Sequence, residues 1–364
     1  MALLAKWSLN SRCIPIQPGS TQGEFTLIKT WRQKINFYLS SSAYLFYVFT
    51  FDFWIYKNFF GQSHHVWETL VVTCFLMVIN ITYIFHIEFY FRKNELKNLL
   101  ENSFRMEKRC LAMGARNYVN LLMLITVSMG GLSIPATSVF MFASGLFVPC
   151  SPPSAGSVLF YSCPNGWMDQ SLPWPGRLVN GLILFHAWYL LASLFAMAVL
   201  VVLLYPSLVM ELQSKLDTMF CRTKLEQYRV AQVMKNLLNY VKRNPMTGLA
   251  LAFIINTEIE SLYAIIMCRD KLPLPILLLF AMALIDFFLV IHVFLRALSK
   301  PYVSSVEFVS NFNRLGGMDE WRRKFLKSCQ PVKVAMGDGN YFDGLTSLVI
   351  WQFCVDTFIS IVLM

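Results

Sequence analysis

Apolar residues in this chain come in long runs, not at the period of an amphipathic helix or the alternation of a half-buried strand. A helix needs about 20 apolar residues to cross a hydrocarbon core. Seven runs reach that length: Ile35–Tyr56, Trp67–Tyr90, Tyr118–Phe147, Leu178–Met210, Met246–Cys268, Leu272–Leu298 and Phe342–Met364. The fourth is longer than one crossing requires, so its far end is expected to project beyond the membrane. The fifth carries Glu258 and Glu260. The alternating segments of about ten residues that mark outer-membrane barrels are not seen. The pattern predicts an all-α, integral membrane seven-helix bundle.

Composition agrees and charge adds a direction. Of 364 residues, 56% are hydrophobic and 14% charged, and mean hydropathy is +0.51; a soluble domain carries about a quarter charged residues. Of 31 lysines and arginines, 26 fall in 1–34, 92–116, 215–243 and 300–333, the N-terminal segment and alternate loops. Cytoplasmic loops hold the excess of Lys and Arg, so an inverted topology is expected, with the N-terminus cytoplasmic and the C-terminus outside. The net charge of +10 belongs to that face and calls for no nucleic-acid partner. Segment 1–34, with Pro15 and Pro18, lacks the apolar core of a cleavable signal, and the first span is expected to act as the anchor. Cys150 and Cys163 share a Pro-rich loop on the oxidising side, and a disulfide between them is the expected pairing.

Ionisable residues within spans are functional candidates by default. Here they are Asp52, Glu88, Glu258, Glu260, Asp286 and Asp356. Glu88 is within reach of Arg92, and Asp52 lies near Lys57. Glu258 and Glu260 stand about 200° apart on a helix and cannot pair with each other. Asp286, the most central, needs a polar partner. Structural pairing is expected for all six. His64, His65, His86, His186 and His292 form no metal-ligand spacing, so no catalytic residue, metal or cofactor is expected. Gly130 and Gly131, followed by Ser133 and Pro135, read as a helix kink. A G-protein-coupled receptor would place the basic loops on the wrong side. Secondary transporters show internal repeats and paired broken helices, which are not visible. A transporter or a non-channel seven-helix receptor remains the alternative.

Residues 321–364 read WRRKFLKSCQPVKVAMGDGNYFDGLTSLVIWQFCVDTFISIVLM. A short basic helix carries Trp321, Phe325 and Leu326 on one face. A Ser-Cys-x-Pro break follows, then a turn at Gly337 and Gly339, the pair Tyr341–Phe342, and the last span. This resembles the arthropod gustatory and odorant receptor superfamily, whose seventh helix is divided in this manner; Thr357–Phe358 stand where the gustatory branch has Thr-Tyr. The resemblance implies a taste-like chemosensory receptor in the plasma membrane, one subunit of a tetrameric, ligand-gated, non-selective cation channel. It implies a cytoplasmic segment 1–34 and a channel domain 35–364, with 211–245 and 299–340 forming a cytoplasmic anchor where four like or related subunits meet. The first of these anchor segments carries Leu212, Leu216, Met219, Val233, Leu237 and Val241 at helical spacing. The last helices would surround the pore, gated at Ile361 and Met364, with Ile350, Cys354 and Thr357 lining it below. A small organic tastant or odorant would bind in the outer half of the bundle, between spans two, three, four and six. The candidate contacts are His186, Phe185, Trp188, Tyr189, Phe140, Met141 and Phe280.

Overall fold

Helices occupy all seven apolar runs. The computed structural model describes residues 14–19, 24–58, 66–113, 121–150, 163, 169, 172–214, 221–242, 245–314, 320–337 and 339–363. The spanning helices are α1 (Trp31–Asn58), α2 (Val66–Phe91), α4 (Leu121–Phe147), α5 (Trp174–Ala196), α8 (Met246–Met267), α9 (Leu274–Leu289) and α12 (Thr346–Leu363). Six spans are long and apolar enough to cross a membrane, and the chain is a multi-pass membrane protein. The exception, α1, has the length, but serines and tyrosines such as Ser40, Ser41, Ser42 and Tyr44 dilute its hydropathy.

Two rods outrun the bilayer. Helix α5 continues through a π-helical stretch, Met197–Leu204, into α6 (Tyr205–Ser214); α9 continues through another, Val290–Phe294, into α10 (Leu295–Arg314). Their continuous helical lengths of 39 and 38 residues correspond to about 57 Å at 1.5 Å per residue, well past a core of about 30 Å. The surplus of both emerges at the basic end of the bundle, where α3 (Lys93–Ala112), α7 (Cys221–Val241) and α11 (Glu320–Ser328) also lie.

Helix α3 replaces the expected basic loop. Leu96, Leu99, Leu100, Ser103, Met106 and Cys110 recur at three- and four-residue steps and are buried, while its lysines and arginines face outward. The N-terminal segment also has structure: β1 (Ile16–Pro18) pairs antiparallel with β2 (Phe25–Leu27). The Phe25 amide donates to Glu101 Oε1 (3.3 Å), and the Phe25 and Phe104 rings lie 5.6 Å apart, so this hairpin is seated on α3. In α7 the packed face reads Tyr228, Ala231, Met234, Leu238 and Val241. Val233, expected on that stripe, is 66% exposed, because it stands about 100° from Met234 around the helix. Leu216 and Met219 lie outside the described residues.

Helices α4 and α5 approach most closely at the opposite end. A Cβ on Gly145 would fall 2.7 Å from the Cα of Gly181, and Asn180 Nδ2 donates to Gly145 O (3.3 Å). Small residues of this kind let two membrane helices bring their backbones together. Just beyond, Cys150 is joined to Cys163 by a disulfide.

Candidate functional site

Between α2, α4, α5, α8 and α9 lies a cavity of about 150 Å³. Its lining combines small residues, Gly130, Ala192, Ala196 and Ala283, with aromatic rings. Phe195, Phe253 and Phe287 form a mutually edge-to-face trio with centroids 5.0, 5.2 and 5.9 Å apart, and Phe75 meets Trp188 in the same manner at 5.4 Å. Both π-helical stretches reach the lining, through Val199 and Val290. A π turn shifts the side-chain register and is frequent at functional positions.

Of the seven side chains expected to contact ligand, Trp188 and Phe280 line this cavity. Phe185 and His186 are exposed on the outer side of α5, Tyr189 and Phe140 are half-buried, and Met141 is buried; none of these five belongs to the lining. The cavity sits further from the disulfide end than that cluster, reaching Val199 in α5 and Gly130 in α4. The polar lining residues Ser133, Thr137, Thr257 and Asp286 were not among the expected contacts, although the mid-span carboxyl of Asp286 was the signal that could have located them.

The six intramembrane carboxylates divide. Asn80 Nδ2 donates to Asp52 Oδ1 (3.1 Å), so Asp52 pairs with α2; the side chain of Lys57 lies outside the described ones. Glu88 forms an ion pair with Arg92 (2.9 Å). Ser133 Oγ donates to Asp286 Oδ2. Glu260 meets the Cys74 thiol on α2. Glu258 departs from the expected pairing: it is fully buried, close to Cys354 on α12, and neither carboxylate oxygen has a hydrogen-bond partner among the described residues. Asp356 is exposed.

The last helix is the least covered span, 22% buried against 82% for the α5 rod. Ile350 and Cys354 point into their own subunit, 8% and 0% exposed, and Thr357 is half-buried. Ile361 is exposed near the helix end, and Met364 lies outside the described residues. The opposite, uncovered face presents Gln352, Asp356 and Ser360, four residues apart and therefore in line along the helix.

The foot of this helix is fixed by polar contacts. An extended stretch after α11 leads into β3 (Ala335–Gly337) and β4 (Asn340–Tyr341), and lies along α7. Tyr228 OH and Gln232 Nε2 both donate to Gln330 O (2.8 Å each). Asn239 clamps the strand twice, donating to Lys333 O (3.0 Å) and accepting from the Ala335 amide (3.0 Å). The Lys242 ammonium, 2% exposed, donates to Ala335 O and lies 5.3 Å from the Phe342 ring centroid. Burial pulls its pKa down to about 7. Asp343 then opens α12. Its Oδ1 accepts from the Leu345 and Thr346 amides (3.0 and 2.8 Å) and from Thr346 Oγ1 (2.7 Å), while Thr346 Oγ1 accepts from the Asp343 amide. These bonds, led by that of Thr346 Oγ1, hold the Asp343 pKa below the ordinary carboxylate range.

No protein-family model and no curated protein matches this sequence. Solved structures do. The insect olfactory receptor OR5 from Machilis hrabei superposes with a TM-score of 0.62 at 8% identity, over 99% of this chain and 97% of that one. The same receptor in complex with eugenol gives 0.63 at 9% identity over the same shares. At such identity the likeness concerns backbone architecture, and it extends from end to end: this chain has the fold of an insect olfactory receptor.

Proposed function

We propose that this chain is a chemosensory receptor subunit that binds a small organic ligand in the five-helix cavity and opens a cation conduit beside its last helix. The observation that carries the reading is the cavity: an aromatic-lined space of ligand size at the centre of a fold shared with a receptor solved with eugenol. Ligand binding shifts the channel only if the ligand binds the open arrangement better. The concentration of Lys and Arg at one end of the bundle supports a cytoplasmic N-terminus in the plasma membrane. Helices α11 and α12 are the two halves of one divided seventh helix in this reading. Segments 211–245 and 299–340 form the anchor of a tetramer of like or related subunits.

The uncovered face of α12 supports assembly. Gln352, Asp356 and Ser360 facing lipid would be costly, roughly 2.5–3.5 kcal/mol for a mid-bilayer carboxylate alone. A water-filled conduit between copies removes that cost. Ile361 and Met364 form its apolar gate, opened when the helices dilate, and Thr357 stands at its edge. Ile350 and Cys354 hold the helix to its own subunit. A taste-like role is part of this reading, with Thr357–Phe358 in place of the gustatory Thr-Tyr.

Expression in cells with current recording tests the whole. A ligand-evoked cation current altered by Ile361→Ala is the expected result. Stoichiometric uptake of a substrate without channel current would replace the channel with a transporter. A tag appended after Met364 should be reached on intact cells; a tag reached only after permeabilisation removes the inverted topology.

A further inference from the structure

Among the described residues the cavity lining holds one carboxyl, that of Asp286, beside the Cys74 thiol, and neither lysine, arginine nor histidine shares it. Ser133 occupies one carboxyl oxygen, Oδ2. No other hydrogen bond reaches the carboxyl from the described residues, so Oδ1, on a residue of the cavity lining, has no partner among them. Around it the surface is overwhelmingly apolar, and the Phe195, Phe253 and Phe287 rings stand close by on α5, α8 and α9. Thr257 adds a buried hydroxyl with no partner among the described residues. An anion in such surroundings is poorly compensated by one hydroxyl, because burial removes the water that would stabilise it.

We infer that the cavity selects ligands carrying an ammonium group, with Asp286 as the counter-ion. This rests on the reading of the cavity as the ligand site. Each class of ligand leaves a different balance. A hydrocarbon fills the apolar space and leaves Oδ1 unpaired. An alcohol supplies one hydrogen bond but no charge. A carboxylic acid adds a second anion in a low-dielectric space and is repelled. A primary amine in its ammonium form supplies both charge and hydrogen bonds to Oδ1, reaches the Thr257 hydroxyl as an acceptor, and gains further attraction from nearby aromatic faces. Its apolar body packs against Trp188 and Phe280. Asp286 acts here as a specificity-determining residue, and Ser133 as the residue that positions it.

The test is a ladder of matched probes: phenethylamine, phenethyl alcohol, ethylbenzene and phenylacetate. Binding to the purified full chain in lipid nanodiscs is read by tryptophan fluorescence, which Trp188 in the lining reports. The amine should bind about tenfold or more tightly than the alcohol, with phenylacetate weakest. Asp286→Asn should bring the amine to the alcohol's level and leave the alcohol within about twofold, while Asp286→Glu keeps the order. Equal binding of amine and alcohol by the unmodified chain overturns the inference, as does an amine preference that survives Asp286→Asn. The unmodified chain decides the matter alone if that variant does not fold. Binding is measured without current, so amine selectivity in a chain that passes no current would remove the channel and leave the inference standing.

Discussion

The two ends of the helix network solve opposite problems. Around the cavity, helices α2, α4, α5, α8 and α9 meet through aromatic rings and small residues, with few polar bonds and space left between them. At the foot of α12, an extended strand with no helical bonds of its own lies on α7, and side chains supply what its backbone lacks. Apolar contacts are non-directional and tolerate repacking, whereas buried backbone groups must find partners in place. The comparison teaches a division of labour: a deformable region with room for the proposed ligand, and a fixed one that holds the base of the last helix.

The sharpest way to break this comparison is to remove the clamp. Asn239→Ala leaves the Ala335 amide unpaired in a part-buried setting, which costs about 1–3 kcal/mol, while the exposed Lys333 O turns to water. A fall in stability of roughly 1–3 kcal/mol, read by thermal unfolding in detergent, is expected. A loss no larger than that of an exposed substitution would show that the foot is not polar-fixed.

Lys242 gives a smaller effect with a signature in pH. Its folded pKa of about 7 lies below the ordinary lysine value of 10.5, so the unfolded chain binds the proton more tightly. Stability is lowered in full below pH 7 and recovers as pH rises from about 7 toward 10.5, where both states are neutral. The unmodified chain should therefore gain Tm between pH 7 and pH 9 by more than Lys242→Met does. Parallel curves for the two would mean that the ammonium is solvated and the foot looser than described.

Much of this architecture could be read from the residues, and the omissions have physical causes. All seven runs are helical, and in six of them, all but α1, apolar length is enough for a span. The seven basic residues of 92–116 give α3 the charge of a loop and mask Leu96, Leu99 and Leu100, buried at helical spacing. The hairpin of Ile16–Pro18 with Phe25–Leu27 had no signal of its own, because three-residue strands depend on the surface they cover. For the site, chemistry was legible where a charge stood in an apolar run, as at Asp286. Aromatic side chains were not, since with 15% aromatic residues a cluster such as Phe185–Tyr189 carries little information. What marks the cavity is the coincidence of small residues on three helices, at Gly130, Ala192, Ala196 and Ala283, a fact of packing between distant segments.

The cap of α12 belongs to the fixed region and should weigh less than the clamp. Asp343→Ala removes the acceptor for two amides at the helix start, and such caps are worth about 1 kcal/mol. Because the folded pKa of Asp343 is depressed, its contribution is present above the unfolded carboxylate pKa and disappears as pH falls through the folded value. Thermal unfolding at neutral and acid pH checks both statements; a deficit in the variant that persists undiminished in acid would assign the loss to packing instead.

The smallest stability change is expected in the deformable region, and it sharpens the contrast most. Ala283→Leu adds three carbons directly into the cavity, where Ala283 already contributes wall. In a filled core such an insertion costs about 1–3 kcal/mol through displaced neighbours. Here the added atoms enter existing space and gain contacts, so thermal stability should stay within about 0.5 kcal/mol of the unmodified chain. Ligand binding, in contrast, should fall steeply, because the volume taken is the ligand's own. A variant that unfolds like an overpacked core would show that the cavity is closed in the resting protein, and the division between a soft centre and a fixed foot would fail at its first premise.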